Sequence, residues 1–191
     1  MDNKQIQEQR IKGYFIQATK EILKAEGLKS ISVRNIANQA GYSYATLYNY
    51  FKDVKDLIFL CVKDFQKEIE DNIEEKIKGF EPGKDRLKQI AMVYVNYFLE
   101  YPGIFELFYL ERMSDISSNT EANQLIVTFL DNLSKEDWEI IEKKETNRTL
   151  KKRELNYCIT GMLLFYLNRR EPVSYNEFIE RIDEQLDSLL M

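Results

Sequence analysis

Twenty residues, Ser32 to Phe51 (SVRNIANQAGYSYATLYNYF), restrict the fold more than any other stretch of the chain. Val33, Ile36, Ala37 and Ala40 recur at the i, i+3, i+4, i+7 spacing of one helical face, and Ser32 just ahead of them is a sound N-cap. Gly41 offers the left-handed conformation that a helix C-terminus favours, and Ser43 can cap a fresh helix. The chain is therefore expected to stop and restart within about three residues. In the second helix Leu47 and Phe51 point inward, which turns Tyr44, Ala45, Tyr48 and Asn49 outward. From Ser43 to Phe51 there is no Asp or Glu. An exposed face of aromatic and small polar groups without acid suits a negatively charged partner, and two short helices braced across a glycine turn form the geometry that enters a DNA major groove. The same spacing also fits an ordinary helical hairpin inside a bundle.

The run Ile36-Ala37-x-x-Ala40-Gly41-x-Ser43-x-x-Thr46-Leu47-Tyr48-x-Tyr50-Phe51, followed by Leu57, resembles the N-terminal DNA-binding signature of the TetR (tetracycline-repressor) family of bacterial transcriptional regulators. The match covers roughly the first third of the chain. It departs at one position, where the family has a Lys three residues after the Phe and this chain has Val54 with Lys55 beside it. The resemblance implies an all-α fold, with an N-terminal three-helix helix-turn-helix DNA-binding domain and a C-terminal helical bundle carrying dimerisation helices. It implies a sequence-specific transcriptional regulator, a repressor released from a palindromic operator in double-stranded DNA by a small apolar ligand. By that resemblance Arg34, Tyr44, Ala45, Thr46 and Tyr48 face the bases. Arg34 has the fork that pairs with a guanine edge, and Ala45 and Thr46 suit a thymine methyl. Ser32, Ser43, Asn49, Tyr50 and Lys55 would hold phosphates and set the register. The competing reading is a DNA-binding structural or protein-partnered factor with no small-molecule inducer.

A net charge of −5 argues at first against nucleic acid, because non-specific affinity comes mainly from phosphate neutralisation. The distribution answers this. Residues 1–60 hold nine Lys and Arg against six Asp and Glu, whereas residues 61–191 hold 18 against 26. The basic excess travels with the candidate reader. There is no histidine and there are only two cysteines, so histidine-based catalysis is excluded, a metal site is not expected, and no cofactor or enzymatic activity is assigned. Cys61 and Cys158 sit on apolar helical stripes and are expected as buried thiols. No apolar run approaches the 18 or so residues that cross a bilayer, and the N-terminus lacks a signal peptide's apolar centre, which predicts a cytoplasmic protein without a membrane partner.

The pattern divides the chain into a DNA-binding domain (residues 1–53), a connecting helix (54–78) and an effector-binding and dimerisation domain (79–191). Gln5 to Glu26 is predicted as a helix with Ile11, Phe15, Ala18 and Ile22 inward, ended by Gly27. The long helix from Val54 is expected either to pass conformational change between the domains or simply to connect them. Helices are expected over Lys84–Tyr101, Ile104–Met113, Thr120–Leu133, Leu150–Arg169 and Ser174–Leu190, with a polar loop at Ser114–Asn119. Ser134 with Asp137 reads as a capping box, leaving one kinked helix or two, and Thr146–Thr149 reads as a polar gap.

The aromatics Tyr94, Tyr97, Phe98, Tyr101, Phe105, Phe108, Tyr109, Phe129, Trp138 and Phe165 cluster in the acidic part. The resemblance implies a ligand pocket among them, and ordinary core packing, the simpler account of any one of these rings, is the competing explanation. The last two helices are expected to form a two-fold homodimer interface through Leu155, Ile159, Met162, Phe165, Tyr166, Phe178, Ile182, Leu186 and Leu189. Completing a monomeric core is the alternative for these residues.

Overall fold

The computed structural model describes residues 2–111 and 121–190, and the predicted loop at Ser114–Asn119 lies outside them. The described residues form ten α-helices and no strand: α1 (Asn3–Glu26), α2 (Val33–Ala40), α3 (Tyr44–Tyr48), α4 (Val54–Lys76), α5 (Lys84–Glu100), α6 (Pro102–Tyr109), α7 (Glu121–Leu133), α8 (Lys135–Ile141), α9 (Glu145–Arg169) and α10 (Tyr175–Leu190). The all-α class is as the sequence predicts. No helix among the described residues is long and apolar enough to cross a membrane.

The helices gather into two compact units. One comprises Met1–Lys67 with Tyr101–Ile126, the other Glu68–Glu100 with Val127–Met191. In the first unit the inward stripe of α1 packs over α2 and α3. Phe15, Ile22, Ile36, Ala37, Leu47, Phe51 and Leu57 form its buried core, and full burial of each large apolar side chain contributes about 1.5–3 kcal/mol. Leu23 is fully buried as well. Gly27 ends α1 at φ 75°, a conformation that L side chains rarely adopt. Helix α6 belongs to this unit and starts at Pro102, two residues earlier than predicted. Proline has no N–H to lose at a first helical position and its fixed φ suits one, so the break expected there is instead a helix start.

In the second unit α5 is tied to its neighbours by polar contacts. Asp137 of α8 is fully buried and accepts hydrogen bonds from the Gly83 backbone N–H (2.9 Å) and from Arg86 Nε (2.8 Å) and Nη2 (3.0 Å). The capping box predicted at Ser134 does not form. The Ser134 hydroxyl donates to the Leu130 carbonyl (2.8 Å) and leaves Asp137 to the guanidinium, because an ion pair with a near-buried arginine outweighs a cap. Two helices, α7 and α8, therefore meet at Ser134. Lys88 bridges Asp183 (3.0 Å) and Asp187 (2.6 Å) on α10. Tyr166 and Phe178 stack at 4.3 Å between α9 and α10.

The predicted gap at Thr146–Thr149 is helical, since α9 begins at Glu145 and the Thr149 hydroxyl returns to the Glu145 carbonyl (3.0 Å). A short polar run does not break a helix whose side chains can satisfy the backbone within it. Both cysteines are free. Cys61 is buried as predicted and burial pushes its thiol far up, whereas Cys158 is only half-buried.

Candidate nucleic-acid interface

Helix α2 starts where Ser32 Oγ accepts the Asn35 backbone N–H (3.1 Å), and Asn35 Nδ2 donates to the Ser30 carbonyl (2.8 Å). It ends at Gly41, whose φ of 76° and ψ of 25° are the left-handed values its composition predicts. Two residues later Ser43 Oγ accepts the Thr46 N–H (3.1 Å) and lies 2.8 Å from Thr46 Oγ1, opening α3. The stop and restart are those expected of Gly41 and Ser43. Leu47 and Phe51 are buried, and the Phe51 N–H closes onto the Leu47 carbonyl at 3.0 Å.

That inward pair leaves Tyr44 66% and Tyr48 55% exposed, with Ala45 and Asn49 exposed beside them. Among the predicted contact residues, Ser32, Arg34 and Ser43 are exposed and Thr46 is half-buried. Tyr50 is also half-buried, its ring tilted against that of Phe15 at 6.4 Å. Lys55 is half-buried at the head of α4, where its backbone N–H donates to Asp53 Oδ1 (3.0 Å).

Two features that the sequence did not single out hold this surface. Tyr42 in the turn stacks on Tyr14 of α1 (6.1 Å) and tilts against Phe15 (5.5 Å), fixing the turn from below. Glu21 of α1 accepts from Gln17 (3.0 Å) and from Gln39 of α2 (2.8 Å), and these bonds hold its carboxyl below the usual carboxylate range. Gln17 and Glu21 at i, i+4 spacing form a helical pair legible in the sequence, whereas the reach to Gln39, eighteen residues on, is a tertiary contact that local spacing does not announce.

The aromatics of the acidic part divide between the units. In the second, Tyr94 lies edge-on to Phe98 (4.9 Å) and tilts against Phe129 (6.2 Å), and Tyr97 is edge-on to Phe98 (5.8 Å). Trp138 is fully buried there and its indole N–H meets no acceptor among the described residues. In the first unit Phe105 and Phe108 are buried and Tyr101 and Tyr109 half-buried. Phe165 belongs with neither cluster, being 58% exposed on α9.

Of the residues expected at a dimer interface, Leu155, Ile159, Phe178, Ile182, Leu186 and Tyr166 are buried within the protomer, Met162 and Leu189 are half-buried, and Phe165 is the exposed one. The outward apolar face of α9 carries Leu150, 50% exposed, Tyr157, 71% exposed, and Phe165, with Gly161 between the last two. Tyr157, Gly161, Met162, Phe165, Pro172 and Phe178 line a groove of about 370 Å³.

Comparison with known proteins agrees with this architecture. Residues 15–60 match the family model described as bacterial regulatory proteins, tetR family. The chain is 30% identical over 112 residues to the fatty acid metabolism regulator protein of Bacillus subtilis (strain 168), covering 59% of this chain and 56% of that one. It is 29% identical over 90 residues to the HTH-type transcriptional regulator PksA of the same organism, covering 47% and 43%. The aligned stretches thus span about half the length of these two relatives. Among solved structures, the transcriptional regulator FadR from Bacillus subtilis in complex with stearoyl-CoA shares the fold with a TM-score of 0.65 at 19% identity, over 93% of this chain and 96% of that one. A TetR-family regulator from Mesorhizobium loti aligns with a TM-score of 0.71 at 18% identity, over 96% of each chain. With the helix-turn-helix in place, capped at Ser32 and Ser43 and turned at Gly41, the likeness to the bacterial regulatory proteins of the tetR family rests on residues 15–60, about a quarter of the chain, and the solved regulators share the fold of the rest.

Proposed function

We propose that the protein is a homodimeric, ligand-responsive repressor that reads a palindromic DNA operator through α2 and α3. The observation that carries this reading is the acid-free outer side of α3, where Tyr44, Ala45, Tyr48 and Asn49 all face solvent while Leu47 anchors the helix beneath them. Nothing in the packing of the first unit needs two tyrosines held out in water, and a base-reading surface does. Arg34, exposed in the first turn of α2, supplies the fork for a guanine edge, and Ser32, Ser43 and Asn49 supply hydroxyl and amide groups for phosphate oxygens.

Arg34→Ala is expected to weaken specific operator binding by about 1–3 kcal/mol and to relax the sequence preference at one position of each half-site. Tyr48→Phe should weaken it by a smaller amount without altering the helical circular dichroism. The measurement is fluorescence anisotropy on a palindrome selected from a random DNA pool. Unchanged affinity in both variants would refute the assignment.

The dimer is assigned to the outward side of α9, because the inner apolar residues of α9 and α10 already pack within the protomer. Tyr157 and Phe165 flank Gly161, where an added methyl group meets nothing within 4 Å, so the protomer presents two projections beside a hollow. A surface with both is self-complementary about a two-fold axis. Phe165→Arg is expected to weaken self-association by at least about 30-fold, as loss of a central aromatic anchor does. Sedimentation equilibrium reads it, and a dimer constant equal to that of the unaltered protein would overturn the assignment.

The ligand reading rests on the aromatic cluster of the second unit. Tyr94, Phe98 and Phe129 are buried together as an apolar cluster, and the Trp138 N–H of the same unit, without an acceptor among the described residues, is a donor whose isolation costs about 1–3 kcal/mol until one arrives. An apolar chain ending in a carbonyl has the chemistry for both, and would enter by parting rings that now pack against one another. A long-chain acyl thioester has that chemistry, as the stearoyl-CoA named with the FadR structure does. The test is quenching or shift of the fluorescence of the single tryptophan on titration with stearoyl-CoA, together with release of the selected palindrome. Full DNA affinity at every thioester concentration would remove the thioester reading and leave the competing one, a protein-partnered factor without an inducer, standing.

A further inference from the structure

Resting on the reading of α2 and α3 as a DNA reader, we propose that the first two turns of α1 are a second DNA-contacting element, which grips the sugar-phosphate strand beside the groove that α3 enters. Arg10 holds a phosphate there, and Gln7 and Asn3 continue along the same strand.

The register of α1 against the reader carries this inference. Asn3, Gln7, Arg10, Tyr14, Gln17 and Glu21 recur at the three- and four-residue spacing of one helical stripe. Toward its C-terminal end the stripe meets α2, where Glu21 accepts from Gln39 (2.8 Å). Two turns earlier it meets the turn itself, where Tyr14 stacks on Tyr42 (6.1 Å). Tyr42 directly precedes Ser43, the residue that caps α3. One further turn of α1, about 6 Å of rise, brings the stripe to Arg10, past the last part of the reader that faces it. The packing of α1 over the reader ends at Ile11, and Asn3, Gln7 and Arg10 are all exposed. Arg10 has neither hydrogen bond nor ion pair among the described residues.

The chemistry of this overhang matches that of the outer side of α3. From Asn3 to Gln17 the stripe holds amides, a guanidinium and a phenol but no acid, in a chain whose net charge is −5. Glu8 is the one acid between Asn3 and Lys20, and it falls at seven-residue spacing with the buried Phe15 and Ile22, on the side turned away from the stripe. An element standing beside a helix in the major groove meets the strand that borders the groove. Guanidinium and amide groups bind its phosphates and set register without reading sequence.

Arg10→Gln removes the charge and keeps a good helix former, and Lys12→Gln removes the same charge from nearly the opposite side of the same helix. Both side chains are exposed, so helical circular dichroism should not change in either variant. Fluorescence anisotropy of the full-length protein, on the selected palindrome and on a scrambled duplex, is followed between about 50 and 200 mM salt. In Arg10→Gln the slope of log affinity against log salt should flatten by about 0.9 per protomer, and affinity should fall about tenfold or more at the low-salt end. The loss should be the same factor on both duplexes, because a phosphate carries no sequence. Lys12→Gln should stay within about threefold of the unaltered protein, its charge being turned from the strand and screened. Gln7→Glu, which sets a carboxylate on the stripe, should weaken binding roughly fivefold or more at low salt. An Arg10→Gln that only tracks Lys12→Gln in affinity and slope, or a loss confined to the palindrome, would overturn the proposal. If the unaltered protein selects no DNA at all, the reader falls and the overhang with it, whereas normal selection with a silent Arg10→Gln removes the overhang alone.

Discussion

Asp137→Ala is expected to destabilise the protein by about 3–5 kcal/mol, the usual consequence of breaking a buried ion pair from one side. Asp137 is fully buried and the Arg86 side chain is only 13% exposed, so the carboxylate leaves behind a guanidinium with restricted access to water, held only from its outer side by the exposed Glu136 (2.8 Å). The Gly83 N–H loses its acceptor at the same time. The hydrogen bonds to Asp137 hold the guanidinium above its ordinary value, so it stays charged at every working pH and cannot relieve the loss by giving up a proton. Removing both partners is a different experiment. Arg86→Met with Asp137→Leu should recover most of the stability, because apolar residues of similar volume replace such pairs at little net cost. Urea denaturation followed by circular dichroism measures all three. A double variant as unstable as Asp137→Ala would show that the residues act separately.

Phe15→Ala should cost about 3–5 kcal/mol in the first unit and abolish DNA binding with it. The ring is fully buried and touches three others, those of Tyr42, Tyr50 and Phe51, at centroid distances of 5.5, 6.4 and 6.2 Å. These three flank the turn and the end of α3, so the cavity opens directly beneath the reader. The thermal midpoint of this unit should fall by roughly 10 °C or more. Calorimetry distinguishes the outcomes: an early transition for the first unit is expected, whereas an unshifted midpoint would mean that the surrounding rings collapse into the space. Tyr14→Ala, which removes only the exposed member of the stack, should cost under about 1.5 kcal/mol.

What could be read from sequence was whatever local chemistry decides. Ser32, Gly41 and Ser43 act on their own neighbours, and each caps or ends a helix as its type predicts. Leu47 and Phe51 follow helical spacing inward, and their spacing alone exposes Tyr44 and Tyr48. Contacts between distant segments were not legible. Asp137 three residues after a serine is a capping box by local rule, and only Arg86, about fifty residues away, turns it elsewhere. A helix such as α9, apolar on several sides, gives no local sign of which side meets its own protomer, so Leu155 and Ile159 read the same as Phe165 until burial separates them. Gly103 carried no signal beyond that of a helix breaker after Pro102, since the residue it accommodates, Gly27, lies 76 positions back, just past the end of α1.

Helix α3 has only five residues and surrenders Leu47 to the interior. One and a half turns allow each protomer a vocabulary of about four outward side chains there, two of them bulky phenols that stack and wedge better than they spell. On the proposed reading, such a surface selects its DNA by topography as much as by letters. Base steps that no side chain touches, between and beside the proposed half-sites, should then matter through how readily they twist and how wide their grooves stand.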